Sequence, residues 1–390
     1  MKFRIDRDVL ADAVSWAARG LPTRPSMPVL AGLVLDVGEG NASTADGVTI
    51  SAFDYEVSSR VEVNADVRDA GRALVSGRLL AEIARSLPNR PVDVESDGSK
   101  VVLTCGSARF TLLTMPVEDY PRLPKLPTLS GRVRSDVFAS AVSQVVIAAG
   151  RDDTLPVLTG VLMEIEGSTI TLLTTDRYRA AVRELTWVPE SASMSTTSLV
   201  SARTLADAAK SLTSGAEVAV ALASGGTGEG LLGFEGGGSA AGEPGARRTT
   251  TRLLDGQFPK VRSLFPTDAP IHARVDTAAF IESLKRVALV AERNTPVRLS
   301  FDDGTLVLEA GASDEAQASE AIDAQTHGEP ISIAFNPGYL LDGLNSMGTP
   351  VVVMSFTQAT KPAAITGAAS MDAEPDAAYR YLLMPIRLSG

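Results

Sequence analysis

The chain has 390 residues, which fits two or three domains of ordinary size, and its apolar share of 44% with only 5% aromatic predicts aliphatic cores. A net charge of −11 argues against a protein that coats nucleic acid with its whole surface, so any such contact is expected to be local. No run approaches the roughly 18–20 consecutive apolar residues of a membrane span and the start MKFRIDRDVL has no apolar signal region, so a cytoplasmic protein is expected.

The first predicted element is an amphipathic helix over RDVLADAVSWAARGL (7–21), with apolar residues at about i, i+3, i+4 and i+7. The strand MPVLAGLVLDV (27–37) follows, then a second helix at VSGRLLAEIARSLP (75–88), entered through a serine suited to capping. Alternating text such as VVLTCGSARFTLLT reads as antiparallel strands joined by a short turn, and it carries the single Cys105, expected to be a buried, inert thiol. The proline-rich MPVEDYPRLPKLP (115–127) closes this first set as a stiff linker.

The same order then recurs. A helix is predicted at SDVFASAVSQVVIAAG (135–150), and LPVLTGVLMEI (155–165) repeats the earlier strand 128 positions on. A second helix follows at VSARTLADAAKSL (200–212), and FPKVRSLFPTDAP (258–270) closes the copy. The third set has DTAAFIESLKRVALVAE (276–292), the weaker echo TPVRLSFDDGTLVLEA (295–310), FNPGYLLDGLNSM (335–347) and the terminal YLLMPIRLSG. Each copy thus combines two helices with about eight strands, an α+β unit in which both helices cover one face of antiparallel sheet. One stretch departs from the repeat: the Gly-rich 223–248, an insertion near 224–246, stands where a hairpin is due with a composition not expected to order itself, and GGGSAAGEPGA (236–246) is expected to be a mobile loop tip.

Chemistry-bearing motifs are absent. His272 and His327 lie far apart in the chain and in no metal spacing, so both are expected to be solvated surface residues; there is no G-x-S-x-G or Walker loop, and the Asp pairs at 152–153 and 302–303 read as turns. One cysteine excludes an intrachain disulfide and a cysteine-rich metal site. A repeated chain without nucleophile, metal cluster or cofactor loop reads as a scaffold, with no catalytic residue, cofactor or metal.

Six ordered blocks, MKFRIDRDVL, TRPSMPVLAGLVL, TTDRYRAAV (174–182), LLDGQFPKVRSLFP (253–266), FNPGYLLDGLN and YLLMPIRL, resemble the bacterial DNA polymerase III beta subunits, the replicative sliding clamps, from Met1 to Leu388. The resemblance implies the DNA clamp fold: three tandem domains, 1–127, 128–268 and 269–390, closing as a head-to-tail homodimer ring around duplex DNA. It implies a processivity factor whose partners are double-stranded DNA without sequence preference, a second copy of itself, the replicative polymerase, the clamp loader and repair proteins. A rival reading is a clamp-derived paralogue serving as a peptide-binding scaffold outside main replication.

The resemblance also implies sites. Arg24, Arg78, Arg151 and Arg203 would touch DNA phosphates, although the six helix segments together sum to a formal charge of −1 and are not basic as a set. Phe110 and Leu112 would meet Leu289 and Val290 at the dimer seam. A pocket between copies two and three would be walled by Leu158, Thr175, Arg177, Tyr178, Arg179, Pro259, Leu264, Asn336, Tyr339, Met384, Pro385, Ile386 and Arg387, and would bind short linear motifs of partners. Arg177 and Tyr178 stand where many clamps have a smaller residue and histidine, so the rim chemistry is expected to differ.

Overall fold

All six predicted helices form in the computed structural model, which describes residues 1–38, 47–213, 215–223, 230–237, 245–266, 268–291, 295–311 and 316–387. They are α1 (Arg7–Ala17), α2 (Gly77–Ser86), α3 (Ser135–Val146), α4 (Ala202–Ser211), α5 (Thr277–Val287) and α6 (Pro337–Met347). Among the described residues four have a side-chain cap that satisfies first-turn N–H groups: Asp6 accepts from Asp8 and Val9, Ser201 from Thr204, Asp276 from Ala279, and Asn336 from Tyr339. Pro337 at the start of α6 loses no needed N–H there, and Gly348 ends the helix in the left-handed region, at φ +65°.

The chain divides into two compact units, Met1–Ala139 with Trp187–Ser193 and Asp207–Leu253, and Ser140–Thr186 with Met194–Ala206 and Leu254–Gly390. The middle copy read from the sequence is therefore shared between them. Strand pairing explains this division. Within the first unit Arg247–Arg252, from the second copy, bonds antiparallel to Val57–Asn64 of the first, with Thr249 opposite Ser59. Within the second unit Arg179–Thr186 bonds to Tyr379–Leu383, with Val182 opposite Arg380.

Within the first unit, fourteen described strands form one sheet, and α1 and α2 pack side by side over its core. Leu10, Val14 and Ala17 of α1 and Leu80 and Ala84 of α2 share that core with Phe3, Leu33, Leu35, Ile50, Val75, Val101 and Leu103. Each large aliphatic side chain buried there contributes about 1.5–3 kcal/mol. Cys105 is buried with its Sγ 3.3 Å from the carbonyls of Pro88 and Arg90. The second unit has a nine-stranded and a four-stranded sheet, with Phe280, Leu284, Leu340 and Leu344 of α5 and α6 fully buried.

The repeated phrase has a structural meaning. Pro28–Ala31 and Pro156–Thr159 are single 3₁₀ turns, and each feeds a strand that begins with glycine, Gly32–Val37 and Gly160–Glu166. Gly32 pairs with Ser76 and Gly160 with Ser201, in both cases the last residue of the strand that enters the second helix of the copy. A Cβ on Gly32 would stand 2.4 Å from Leu74 Cδ1, and one on Gly160 2.7 Å from Leu199 Cδ1. The echo thus encodes one close approach twice.

The Gly-rich segment is corrected by the structure. Leu231–Gly236 is a strand bonded to both Glu217–Leu222 and Arg247–Arg252, so the hairpin expected to be missing is present. Phe234 within it is fully buried and its ring lies 5.5 Å from that of Phe138, enough apolar surface to order the strand. Most of the expected loop tip, 238–244, lies outside the described residues, as does 224–229.

Candidate functional site

A tight turn joins the strands Thr169–Thr175 and Arg179–Thr186, and its sequence dictates its shape. Asp176 accepts from the N–H groups of Tyr178 and Arg179, both at 3.0 Å, while Thr175 Oγ1 donates to the Arg179 carbonyl and accepts from Arg177 N–H. These bonds hold Arg177 at φ +81°, where an L side chain is rarely found. The first copy has the same turn: Asp54 accepts from Glu56 and Val57, with Tyr55 at φ +75°.

The turn carries Arg179 to α6. The guanidinium is 4% exposed, with Nε 2.9 Å from Asp176 and Nη1 2.7 Å from Asp342, and it lies 4.3 Å over the ring of Tyr339. Burial works against its charge, yet the Tyr381 hydroxyl and the carboxylates of Asp342 and Asp176 outweigh that and raise its pKa above the ordinary value. Tyr381 donates to the Tyr339 carbonyl at 2.9 Å, and burial pushes its own pKa up. Tyr178 stacks against Tyr339 with centroids 6.4 Å apart.

These groups border a cavity of about 560 Å³ inside the second unit. Of the expected pocket residues, Leu158, Arg177, Tyr178, Arg179, Asn336 and Tyr339 line it. Leu155, Asp176 and Asp342 also line it and were not foreseen, though Asn336, Tyr339 and Asp342 fall at a spacing of three, one face of a helix. Thr175 is buried beneath the turn, in its hydrogen bonds. Met384 to Arg387 follow the last strand, outside the lining, although Met384 N–H donates to the Tyr178 carbonyl at 2.9 Å. Pro259 and the half-exposed Leu264 flank Val261, which packs with Phe265, Leu173 and Leu382 in a separate small core.

Arg24 and Arg78 stand exposed in the first unit, where Arg78 donates to the Pro22 carbonyl at 3.1 Å. Arg203 is exposed on α4 in the second. The structure places Arg151 on the cavity lining. None of these four is in an ion pair among the described residues, unlike Arg286, paired with Glu320, and Lys285, paired with Glu282.

The seam residues need one correction. Leu112 faces the core at 3% exposure and Phe110 is half-buried against the same core, because they stand opposite the buried Val101 and Leu103. Their strand, Ala108–Met115, presents Arg109, Thr111 and Leu113 outward, and Leu113 is 71% exposed. Apart from Thr114 and Met115, its far edge has no strand partner among the described residues. Ala318–Asp323 is likewise an open edge in the second unit, packed on α5, after which Leu289 is 84% exposed and Val290 half-buried.

The two histidines, far apart in sequence, are direct cross-strand partners on Ile271–Asp276 and Gln325–His327. The expectation that both are plain solvated surface residues therefore fails for His272, which is half-buried with Nδ1 3.1 Å from Ser355 Oγ. Asp152 acts in its turn as expected, accepting from the Thr154 N–H and hydroxyl.

Three profiles of one family match the chain in order. They are the N-terminal, central and C-terminal domains of the DNA polymerase III beta subunit, at residues 1–124, 132–260 and 262–387. The beta sliding clamp of Streptomyces coelicolor is 60% identical over 390 residues, covering all of both chains. The beta sliding clamp homolog GriR of Streptomyces muensis is 46% identical over 99% of each chain. A sliding clamp from Pseudomonas aeruginosa, solved bound to griselimycin, superposes with a TM-score of 0.88 at 25% identity over all of both chains.

Proposed function

Because the chain belongs to the DNA polymerase III beta subunit family, we propose a division of labour among the surfaces described above. Its function is that of a sliding clamp, a processivity factor in DNA replication, and the full-length 60% identity to a beta sliding clamp carries that reading. The paralogue alternative is not favoured, since the identity to GriR is lower.

Two protomers close head to tail, the open edge of Ala108–Leu113 on one meeting the edge of Ala318–Asp323 on its partner. Main-chain pairing would satisfy both rows of free backbone groups, with Phe110, Leu289 and Val290 supplying the apolar contact. Arg109 on one edge and Asp323 on the other suit that pairing in charge. The ring so formed encloses duplex DNA in the cytoplasm, with domain borders near 127 and 268. Arg24, Arg78 and Arg203 touch phosphates without reading bases, which permits sliding. The clamp performs no chemistry of its own.

The cavity beside Tyr178, Arg179 and Tyr339 takes short segments of the polymerase, clamp loader and repair proteins. Its volume and aromatic wall suit a few apolar side chains, and Met384 to Arg387 flank it. Light scattering from micromolar concentration downward tests the assembly. A stable mass of two 40.7 kDa chains is expected, and a monomer throughout would refute the self-closing seam.

A further inference from the structure

The cavity is uneven in charge. Six charged residues line it: Arg151, Arg177, Arg179, Asp152, Asp176 and Asp342. Asp176 and Asp342 are both spent on Arg179, so that side is closed on itself and slightly acidic. At the mouth Asp152 is committed to Thr154, whose hydroxyl and N–H hold its pKa below the ordinary carboxylate value, with Arg177 adding to the effect. Arg177 therefore faces one carboxylate at long range, and neither it nor Arg151 is in an ion pair among the described residues.

Arg177 is also held in a costly conformation. At φ +81° a glycine would sit without strain, and the guanidinium instead reaches over Tyr178, 6.0 Å from the ring centroid. The Asp-led turn imposes that backbone in both copies, but only this turn borders the cavity and only it puts an arginine at the left-handed position.

We propose that Arg177, together with Arg151, makes this cavity select partner segments with an acidic side chain next to the apolar residues that fill it, and reject segments with a basic one there. The inference rests on the cavity's being the partner-peptide site. Arg151 and Arg177 are exposed at the cavity, so each can offer a carboxylate a charge-assisted hydrogen bond of the modest strength of a surface pair. The same two arginines could instead hold DNA phosphates, but their place on a tyrosine-lined concavity favours a peptide.

The test uses the full-length protein and three fluorescent nonapeptides sharing a Leu-Leu-Phe core, with Asp, Asn or Lys on both sides of it, read by anisotropy at low and physiological salt. We expect the Asp peptide to bind about five- to tenfold tighter than the Asn peptide, with the Lys peptide weakest. The three should converge on Arg177→Gln with Arg151→Gln, and their order should reverse on Arg177→Glu. If the native protein binds all three alike, the arginine selection is overturned while the cavity keeps its peptide role. If it binds none of them, the peptide site itself is overturned and this inference with it. If the variants lose affinity for a duplex oligonucleotide and leave peptide preference unchanged, the arginines serve DNA and the proposal is wrong.

Discussion

The guanidinium of Arg179 lies 4.3 Å over the ring of Tyr339 and 2.7 Å from Asp342 one turn further along α6, so one buried cation fastens the strand Arg179–Thr186 to that helix. Deleting it strands Asp176, whose side chain is 12% exposed, without its partner. Arg179→Ala should therefore cost about 3 kcal/mol, whereas Asp342→Asn, at a carboxylate 45% exposed, should cost less than about 1 kcal/mol. Urea unfolding of the two variants checks the ranking; equal stabilities would contradict it.

Tyr120 is a second buried fastening. Its hydroxyl accepts from Phe53 N–H at 2.6 Å, so Tyr120→Phe should cost about 1–3 kcal/mol by leaving that donor unpaired. Burial pushes the phenol up to about 12 from 10 in the unfolded chain. A raised acid binds its proton more tightly when folded, so this contribution is complete below pH 10 and is lost as pH rises from 10 towards 12. Stability profiles of the native protein and Tyr120→Phe should converge across that window, and parallel profiles would refute the account.

His272 should titrate below the ordinary histidine value. Burial depresses it first, then the neighbouring charges of His327 and Arg274, with Asp268 opposing. Its neutral form is thus favoured by folding, a contribution present above about pH 6.5 and lost as pH falls through the depressed folded value. Proton NMR of the His272 imidazole should show it titrating below the ordinary histidine value, and His327→Gln should raise it part of the way. A value at or above 6.5 in the native protein would sink the prediction.

Leu289, 84% exposed on the proposed seam, is the cleanest probe of assembly. Leu289→Asp should leave the monomer folded and weaken self-association at least tenfold, about 1.4 kcal/mol or more. Sedimentation at a series of concentrations measures this, and an unchanged dimer would remove Leu289 from the interface.

Much of this was legible in the sequence, for physical reasons. Helix periodicity with Asp, Ser or Asn at the entry located all six helices, and the Pro-Val-Leu-x-Gly echo marked a strand that recurs, although its first residues form a 3₁₀ turn and the close approach at its glycine is visible only in the structure. The errors came from what periodicity does not carry. Phe234 and its strand were hidden by flanking glycines, since composition averages over a window wider than six residues. Leu112 comes to the seam by resemblance alone, and alternation along its strand gives two faces but not which of them meets the core. His272 and His327 meet only through strand pairing, and Asp342 joins Arg179 only once α6 is docked.

The central claim is topological, so the most direct measurement is retention on DNA of different topology. The protein, loaded on a nicked circular plasmid by a clamp loader with ATP, should co-elute with the circles in gel filtration and be lost when a restriction enzyme linearises them. Equal retention on circular and linear DNA would mean that it binds the duplex by contact alone, and the clamp account would be wrong.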